Sequence, residues 1–162
     1  TPGGCPPLGG LSAIVSGASG DTPGRLALVV RGARPVFTAG SWMAMGCGRL
    51  LEASAAKMWH SLPHLRALPQ NTWVYSGHEY TASNMAFTQS LGEDNPAINA
   101  RAAEITKDRA AGRPTVPSLL ALEMQTNPFL RADDPALKTA VGMPEANAEQ
   151  VFAEIRARKD KF

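Results

Sequence analysis

The amino-acid sequence predicts an α/β first half followed by an all-α second half. The first 50 or so residues are rich in Gly and Pro and contain short apolar runs, which are typical of strands and turns. From about residue 80 onward the chain is rich in Ala, and its apolar residues recur at helical spacing. The change falls near Glu79, so we predict one domain over residues 1–79 and a second, helical domain over residues 80–162.

Three short apolar runs predict strands in the first half. Residues 26–30 lie between turn residues and predict a buried strand. Residues 35–38 follow the turn at 31–34, so we expect these two strands to form a hairpin. Residues 72–75 are rich in β-formers and predict another buried strand, while the glycines within residues 45–49 predict a loop.

One helix is predicted in the first half, over residues 54–68. Met58, Leu62 and Leu65 are spaced as on one helical face. Pro63 lies among them, and proline removes a helical hydrogen bond and crowds the preceding turn. The sequence therefore predicts a kink or break at Pro63.

Four helices are predicted in the second half. Their expected ranges are 81–90, 96–109, 118–124 and 146–159. The last of them carries an apolar stripe formed by Val151, Phe152 and Ile155, while Arg156 and Lys159 lie one turn apart on one face.

Composition excludes several classes of function. The formal net charge of +2 is too small to indicate a nucleic-acid partner or an anionic membrane. No apolar run is long enough to span a bilayer, and the Pro/Gly-rich start does not have the pattern of a signal peptide. The start instead suggests that the chain begins within a longer protein. Two cysteines outside any C-x-x-C pair are typical of a reducing compartment, so we expect a cytoplasmic protein.

Histidines are the first candidates for metal or catalytic chemistry. His78 is predicted between a strand and a helix, where a loop can expose its ring, although an isolated loop histidine more often binds nothing. His60 and His64 are four residues apart and could form a zinc pair on one helix face. Pro63 disturbs that face and no acidic residue lies beside them, so we interpret both as surface histidines.

Three other features each allow a structural and a functional interpretation. Cys47 lies between two glycines and could be a nucleophile, but it has no neighbouring base, so a structural turn is favoured. Asp21 lies in a Gly/Pro-rich stretch and is most simply a turn residue. Arg156 and Lys159 are most simply a solvated face, and their functional interpretation is anion binding.

A set of motifs in one collinear order then identifies a family resemblance. The motifs are Gly46-Cys47-Gly48-Arg49, Met58-Trp59, Leu65-Arg66-Ala67-Leu68-Pro69, Gly77-His78-Glu79-Tyr80-Thr81, Pro114-Thr115-Val116-Pro117-Ser118, Asn127-Pro128-Phe129-Leu130-Arg131 and the closing run from Arg156 to Phe162. Together they resemble hydroxyacylglutathione hydrolase (glyoxalase II), over about residues 18 to 162.

The resemblance implies a fold, a reaction and a set of site residues. The fold is an αββα metallo-β-lactamase-like domain, of which this chain has the C-terminal half, and a helical glutathione-binding domain. The reaction is the hydrolysis of S-D-lactoylglutathione to glutathione and D-lactate with two metal ions, zinc or iron. By position, His78 corresponds to a metal ligand. Arg49, Tyr80, Arg156 and Lys159 correspond to substrate contacts.

Several family motifs are altered or absent. The histidine-rich T-H-x-H-x-D-H motif does not occur in the chain. Asp21 stands where the family has a ligand histidine, Gly40 stands in place of a bridging aspartate, and Leu51 replaces a tyrosine. His78 and Asp21 are therefore the remaining candidate metal ligands, and we expect the two ions not to be retained.

Two hypotheses from different classes follow. In the first, the chain is a truncated or degenerate hydrolase that is inactive as it stands. In the second, it is a non-catalytic remnant or module that binds glutathione. Both predict a monomer with a glutathione thioester as its ligand, and neither involves nucleic acid or a membrane.

Overall fold

The structure is a computed structural model that describes residues 7–8, 11–17, 26–30, 35–49 and 54–162. Before residue 31 it describes the backbone of the strands and the side chains of Ala27 and Val29 alone. The strands are β1 (Pro7–Leu8), β2 (Leu11–Gly17), β3 (Leu26–Val30), β4 (Pro35–Ala39), β5 (Trp42–Met43), β6 (Gly46–Cys47), β7 (Trp73–Ser76) and β8 (Ser118–Leu119).

Six of these strands form one sheet in the order β1-β2-β3-β4-β7-β8. β3 and β4 are antiparallel, with Leu28 opposite Phe37 and Val29 opposite Val36, which confirms the predicted hairpin. The turn predicted at 31–34 lies outside the described residues. The fold is therefore α/β, as the sequence predicted.

The parallel pairing of β4 with β7 brings two loops together. Ala39 ends β4 in the left-handed region, with φ of 48°, and its carbonyl accepts a hydrogen bond of 2.8 Å from the N–H of Gly77, just after β7. Because parallel strands end at the same edge of a sheet, Gly40 and His78 follow neighbouring strand ends.

The prediction that the strand at 72–75 is buried was wrong for half of its side chains. Val74 is 1% exposed, but Trp73 and Tyr75 are 45% and 38% exposed. Successive side chains of a strand point to opposite faces, so one face of β7 joins the core and the other faces outward. On the outward face the ring of Tyr75 lies 5.0 Å from that of Phe37, centroid to centroid.

The helix predicted at 54–68 runs without interruption through its proline. α1 spans Ala55–Arg66, and Ser54 caps it by accepting a hydrogen bond from the N–H of Lys57. The predicted break at Pro63 is absent: the helix continues past it, and the carbonyl of Pro63 accepts from the N–H of Ala67. The burial of Met58 and Leu62 against the core stabilises the helix despite the hydrogen bond that proline cannot donate.

Helices dominate the chain after residue 80. They are α2 (Thr81–Ser90), α3 (Pro96–Ala110), α4 (Leu120–Thr126), a 3-10 turn (Pro128–Leu130), α5 (Pro135–Ala140) and α6 (Ala148–Lys161). The helix predicted from Ser118 begins instead at Leu120. Ser118 and Leu119 form β8, which pairs with β7, because that sheet edge supplies hydrogen-bond partners that the sequence cannot reveal.

One hydrophobic core joins elements from both parts of the chain. It contains Val36 and Val74 from the sheet together with Val151, Phe152 and Ile155 from α6. All three α6 residues are fully buried, so the predicted apolar stripe is confirmed. These contacts fix the position of α6. Its residues Arg156, Lys159 and Asp160 then lie near the loops that follow β4 and β7. Among the described residues, no helix is both long and apolar enough to cross a bilayer.

Candidate functional site

A cavity of about 720 Å³ opens where the ends of β4 and β7 meet the β5–β6 ribbon, α2 and α6. Most of the residues predicted as site residues line it. Its lining residues are Gly40, Met43, Cys47, Gly48, Arg49, His78, Tyr80, Ser83, Asn84, Arg156, Lys159, Asp160 and Phe162. The tertiary structure thus brings together Arg49, Tyr80, Arg156, Lys159 and His78. Asp21 lies outside the described residues.

Arg156 is the innermost cation of the cavity. Its side chain is 5% exposed, so the interpretation of this residue as part of a solvated face was wrong. Nη1 donates to the carbonyl of Cys47 at 3.0 Å, and Nη2 donates to Asp160 at 2.9 Å. The guanidinium also lies over the ring of Phe129, 5.3 Å from its centroid. Its position is therefore fixed by several contacts before any ligand arrives.

Arg49 and Lys159 are the accessible cations of the cavity. Arg49 is 75% exposed, and its Nε lies 3.8 Å from Asp160. The ammonium of Lys159 lies 5.2 Å and 5.1 Å from the ring centroids of Phe87 and Phe162. Burial, and then the charges of Arg156 and Arg49, lower the pKa of Lys159 below its ordinary value. Such repulsion among cations is relieved by an anion, so the cavity favours a negatively charged ligand.

His78 and Tyr80 form another part of the rim. Their rings stack with centroids 5.1 Å apart, and Tyr80 is 52% exposed, so its hydroxyl can reach a ligand. Glu79, between them, accepts from the backbone N–H of Thr115 at 3.1 Å and also from its hydroxyl. This contact ties the loop after β7 to the segment before β8, which holds the rim in place.

The chemistry of the donors tests the metal centre that the resemblance implies. His78 supplies an imidazole beside Gly40, but Gly40 has no side chain to bridge two ions. Within residues 35–49 and 54–162, no three His, Cys, Asp or Glu side chains are grouped so as to hold an ion. Catalytic zinc ordinarily has three protein ligands. The described residues therefore do not fit a two-metal centre.

Cys47 has a structural role in the wall of the cavity and is not a reactive group. The segment predicted as a loop includes β6, which pairs with β5, with Trp42 opposite Cys47. The thiol is buried, and burial raises its pKa to about 12, against the opposing effect of Arg156. A thiol with so high a pKa is not a nucleophile at neutral pH, so the structural interpretation of Cys47 is supported.

The glycines beside Cys47 are required by close contacts. A Cβ on Gly48 would lie 2.4 Å from the carbonyl oxygen of Gly40. A Cβ on Gly46 would lie 2.5 Å from the side-chain amide of Asn84. A side chain at either position would push the ribbon away from the strand ends and change the shape of the cavity.

A buried polar network contacts the β5–β6 ribbon through Met45 and Gly46. The sequence analysis did not identify this network. Glu123 is fully buried and accepts from the guanidinium of Arg101, from the N–H of Met45 at 3.0 Å and from Asn127 at 2.8 Å. The same Asn127 amide lies 3.3 Å from the carbonyl of Gly46. Asn127 opens the N-P-F-L-R motif, and the i, i+4 spacing from Glu123 was the available indication.

The remaining histidines lie away from this cavity. His60 is on the exposed face of α1, with Nε2 3.4 Å from Glu149, and His64 is also exposed. Within the described part of the chain they belong to no group of potential metal ligands. Their interpretation as surface histidines is supported.

Comparisons with known proteins agree with this architecture. A family model described as "Hydroxyacylglutathione hydrolase C-terminus" matches residues 79–162. The chain is 56% identical to the hydroxyacylglutathione hydrolase of Ruegeria pomeroyi over 155 residues, covering 96% of this chain and 61% of that protein. It is 54% identical to the protein of the same name from Roseobacter denitrificans, covering 91% and 58%.

The chain also resembles solved structures in its fold. A metallo-β-lactamase from Staphylococcus aureus superimposes with a TM-score of 0.55 at 15% identity, covering 97% of this chain and 41% of that one. The chain therefore shares the metallo-β-lactamase fold, and it spans about six tenths of the length of the curated relatives named above. Since the family model covers more than half of the chain, this protein belongs to the hydroxyacylglutathione hydrolase family.

Proposed function

We propose that this chain binds glutathione and its thioesters in the cavity between α6 and the strand ends. S-D-lactoylglutathione is the thioester that the family resemblance implies. The observation that carries the proposal is the convergence of three cations, Arg49, Arg156 and Lys159, on one cavity in which Asp160 is the acidic side chain among the described lining residues. The helices that follow residue 80 act in this proposal as the ligand-binding part of the fold.

The chemistry of glutathione matches these side chains. The tripeptide carries two carboxylates, and Arg49 and Lys159 are the two cations within its reach. Tyr80, which also lines the cavity and is exposed, offers a hydroxyl to a peptide carbonyl or a carboxylate. Arg156 contributes mainly its charge, since both of its Nη groups already donate to Cys47 and Asp160.

The expected affinity is weak. A charge-assisted hydrogen bond contributes roughly 1.5–3 kcal/mol when shielded from water, and less at an open surface. Two such bonds, reduced by the entropy lost on association, correspond to a dissociation constant of about a millimolar.

Hydrolysis is a separate matter, and the donors of this chain do not support it. The two zinc or iron ions of the family would polarise the thioester carbonyl and supply hydroxide, and the described residues do not fit such a centre. Cys47 is not a replacement nucleophile. We therefore propose a binding function without turnover for this chain, which is the second of the two hypotheses from the sequence.

The binding proposal is tested by titrating the chain with glutathione and with S-methylglutathione, followed by ¹H–¹⁵N NMR. Saturable shifts should occur in residues 46–49, 78–84 and 156–162. Arg49→Ala and Lys159→Ala should each weaken binding about five- to tenfold, because each removes one carboxylate partner. Lys161→Ala is the matched control: it removes the same charge from α6, outside the cavity, and should leave the affinity unchanged.

Two results would contradict the binding proposal. Unchanged affinity in both Arg49→Ala and Lys159→Ala would mean that glutathione binds elsewhere. Shifts that never saturate in the wild-type chain would mean that it does not bind glutathione specifically.

Turnover is tested with S-D-lactoylglutathione and purified chain, with and without added zinc or iron. No release of glutathione above the uncatalysed rate is expected. Release that survives chelation and disappears in Cys47→Ala would contradict this and would assign the cysteine as nucleophile.

A further inference from the structure

We propose that Asp160 acts as an internal counter-ion that competes with the carboxylates of the ligand for Arg49 and Arg156, and so limits affinity for anions. The inference rests on the proposed function, because it concerns how strongly the same cavity attracts a glutathione carboxylate. Among the lining residues that the structure describes, Asp160 has the one acidic side chain. It lies at the end of α6, one residue after Lys159.

The geometry places one carboxylate oxygen between the two arginines. Oδ1 of Asp160 accepts from Nη2 of Arg156 at 2.9 Å and lies 3.8 Å from Nε of Arg49. The side chain of Asp160 is 44% exposed, so this oxygen lies at the accessible surface of the cavity. A ligand carboxylate that approaches the two arginines meets a position that is already negatively charged.

Arg156 does not depend on Asp160 for its position. Its other Nη group donates to the carbonyl of Cys47, the guanidinium lies over Phe129, and the side chain is buried. Removal of the charge on Asp160 would therefore leave Arg156 in place. The more exposed Arg49, held by a contact of 3.8 Å, would also become available.

The electrostatic consequence is an increase in affinity for anions. A ligand carboxylate within a few ångströms of Asp160 is repelled by it, and at a partly exposed site of high effective dielectric this repulsion corresponds to about a three- to tenfold loss of affinity at low ionic strength. Asp160→Asn removes the repulsion and keeps the shape and an acceptor oxygen for Arg156. The variant should therefore bind glutathione about three- to tenfold more tightly than the wild-type chain.

The test compares Asp160→Asn with two controls. Asp160→Glu keeps the charge and should therefore not show the gain in affinity. Asp133→Asn makes the same change of net charge at a carboxylate that pairs with Arg66 away from the cavity, and should also leave the affinity unchanged. Circular dichroism and thermal unfolding should show that all three variants fold.

Glutathione and glutathione diethyl ester are the two probes, titrated by NMR at low and high salt. The gain in Asp160→Asn should appear with glutathione, shrink at high salt and be absent with the ester, whose carboxylates are masked. A gain for glutathione over a wild-type chain that binds too weakly to measure would also support the inference.

The outcomes separate this inference from the proposed function. If the wild-type chain binds glutathione and Asp160→Asn binds it equally or more weakly, the inference is overturned and the binding function remains. In that case Asp160 attracts the amine of the ligand or orients Arg156. If neither chain binds glutathione, both the function and the inference are overturned.

Discussion

Glu123→Gln removes the charge at the centre of the buried network behind the cavity. In the wild-type chain one carboxylate oxygen faces Arg101, and the other accepts from the N–H of Met45 and the amide of Asn127. Glutamine has a single carbonyl oxygen, so its NH₂ must face either the guanidinium or the two other donors. Whichever way the amide turns, at least one buried donor loses its acceptor.

The cost follows from the burial of the partners. Arg101 and Glu123 have side chains that are 4% and 0% exposed, so a guanidinium without its carboxylate cannot be solvated. Breaking a buried ion pair on one side costs about 3–5 kcal/mol, and the acceptor that glutamine retains reduces this to about 3 kcal/mol. Domains of this size have free energies of unfolding of about 5–15 kcal/mol, so the loss should be easy to measure.

Urea unfolding followed by far-UV circular dichroism measures this change. Asp108→Asn is the control, because it breaks an ion pair with Arg113 at the surface and should cost less than about 1 kcal/mol. A double variant, Arg101→Met with Glu123→Gln, should lose less than the sum of the single losses, since the unpaired charge is removed.

The reasoning is refuted if Glu123→Gln unfolds within about 1 kcal/mol of the wild-type chain. It is also refuted if the two changes at Arg101 and Glu123 are simply additive. In either case the network of Glu123 does not stabilise the position of the β5–β6 ribbon. The affinity for glutathione should then be the same in the wild-type chain and in Glu123→Gln.

Three further predictions concern reactivity, pH and metal content. In a Cys5→Ser background, iodoacetamide should alkylate Cys47 in urea but not in the native chain, because burial raises the pKa of its thiol to about 12. Equal rates of alkylation in both states would contradict this prediction. Burial raises the pKa of Asp134, but hydrogen bonds from Arg131 and a backbone N–H outweigh this and hold it below its ordinary value. The free energy of unfolding should therefore fall as pH drops below about 4 and through the lowered pKa, and Asp134→Asn should flatten that fall in urea titrations at a series of pH values. Elemental analysis after incubation with zinc or iron and dialysis should find fewer than two ions per chain, because the described residues form no group of three potential ligands around His78. Two tightly held ions per chain would contradict this prediction.

Local patterns in the sequence determined much of the fold. The apolar stripe of Val151, Phe152 and Ile155 identified the buried face of α6, because a 3.6-residue period requires only the residues of one helix. The helix at 81–90 and the hairpin of β3 and β4 were likewise set by short-range signals. The motif order around His78 was specific enough to indicate the family before any comparison.

Features that depend on a distant partner could not be read from the sequence. The continuity of α1 through Pro63 depends on burial against the core, and the strand at Ser118 depends on the free edge of β7. Both cases reflect tertiary contacts that outweigh local propensity. The two-domain division at Glu79 remains a prediction, although sheet and helices share one core.

For the candidate site, too, some properties follow from the sequence and others from the tertiary structure. The sequence by itself determined that the family's histidine-rich motif is absent from the chain. Its resemblance to the family also indicated Arg49, Tyr80, Arg156 and Lys159 as substrate contacts, and this remains a prediction. Only the tertiary structure decided that Arg156 is buried with both of its Nη groups already engaged, and that Asp160 lies between two arginines. The physical reason is that charge and chemical type belong to a residue, whereas burial and pairing belong to its neighbours in space.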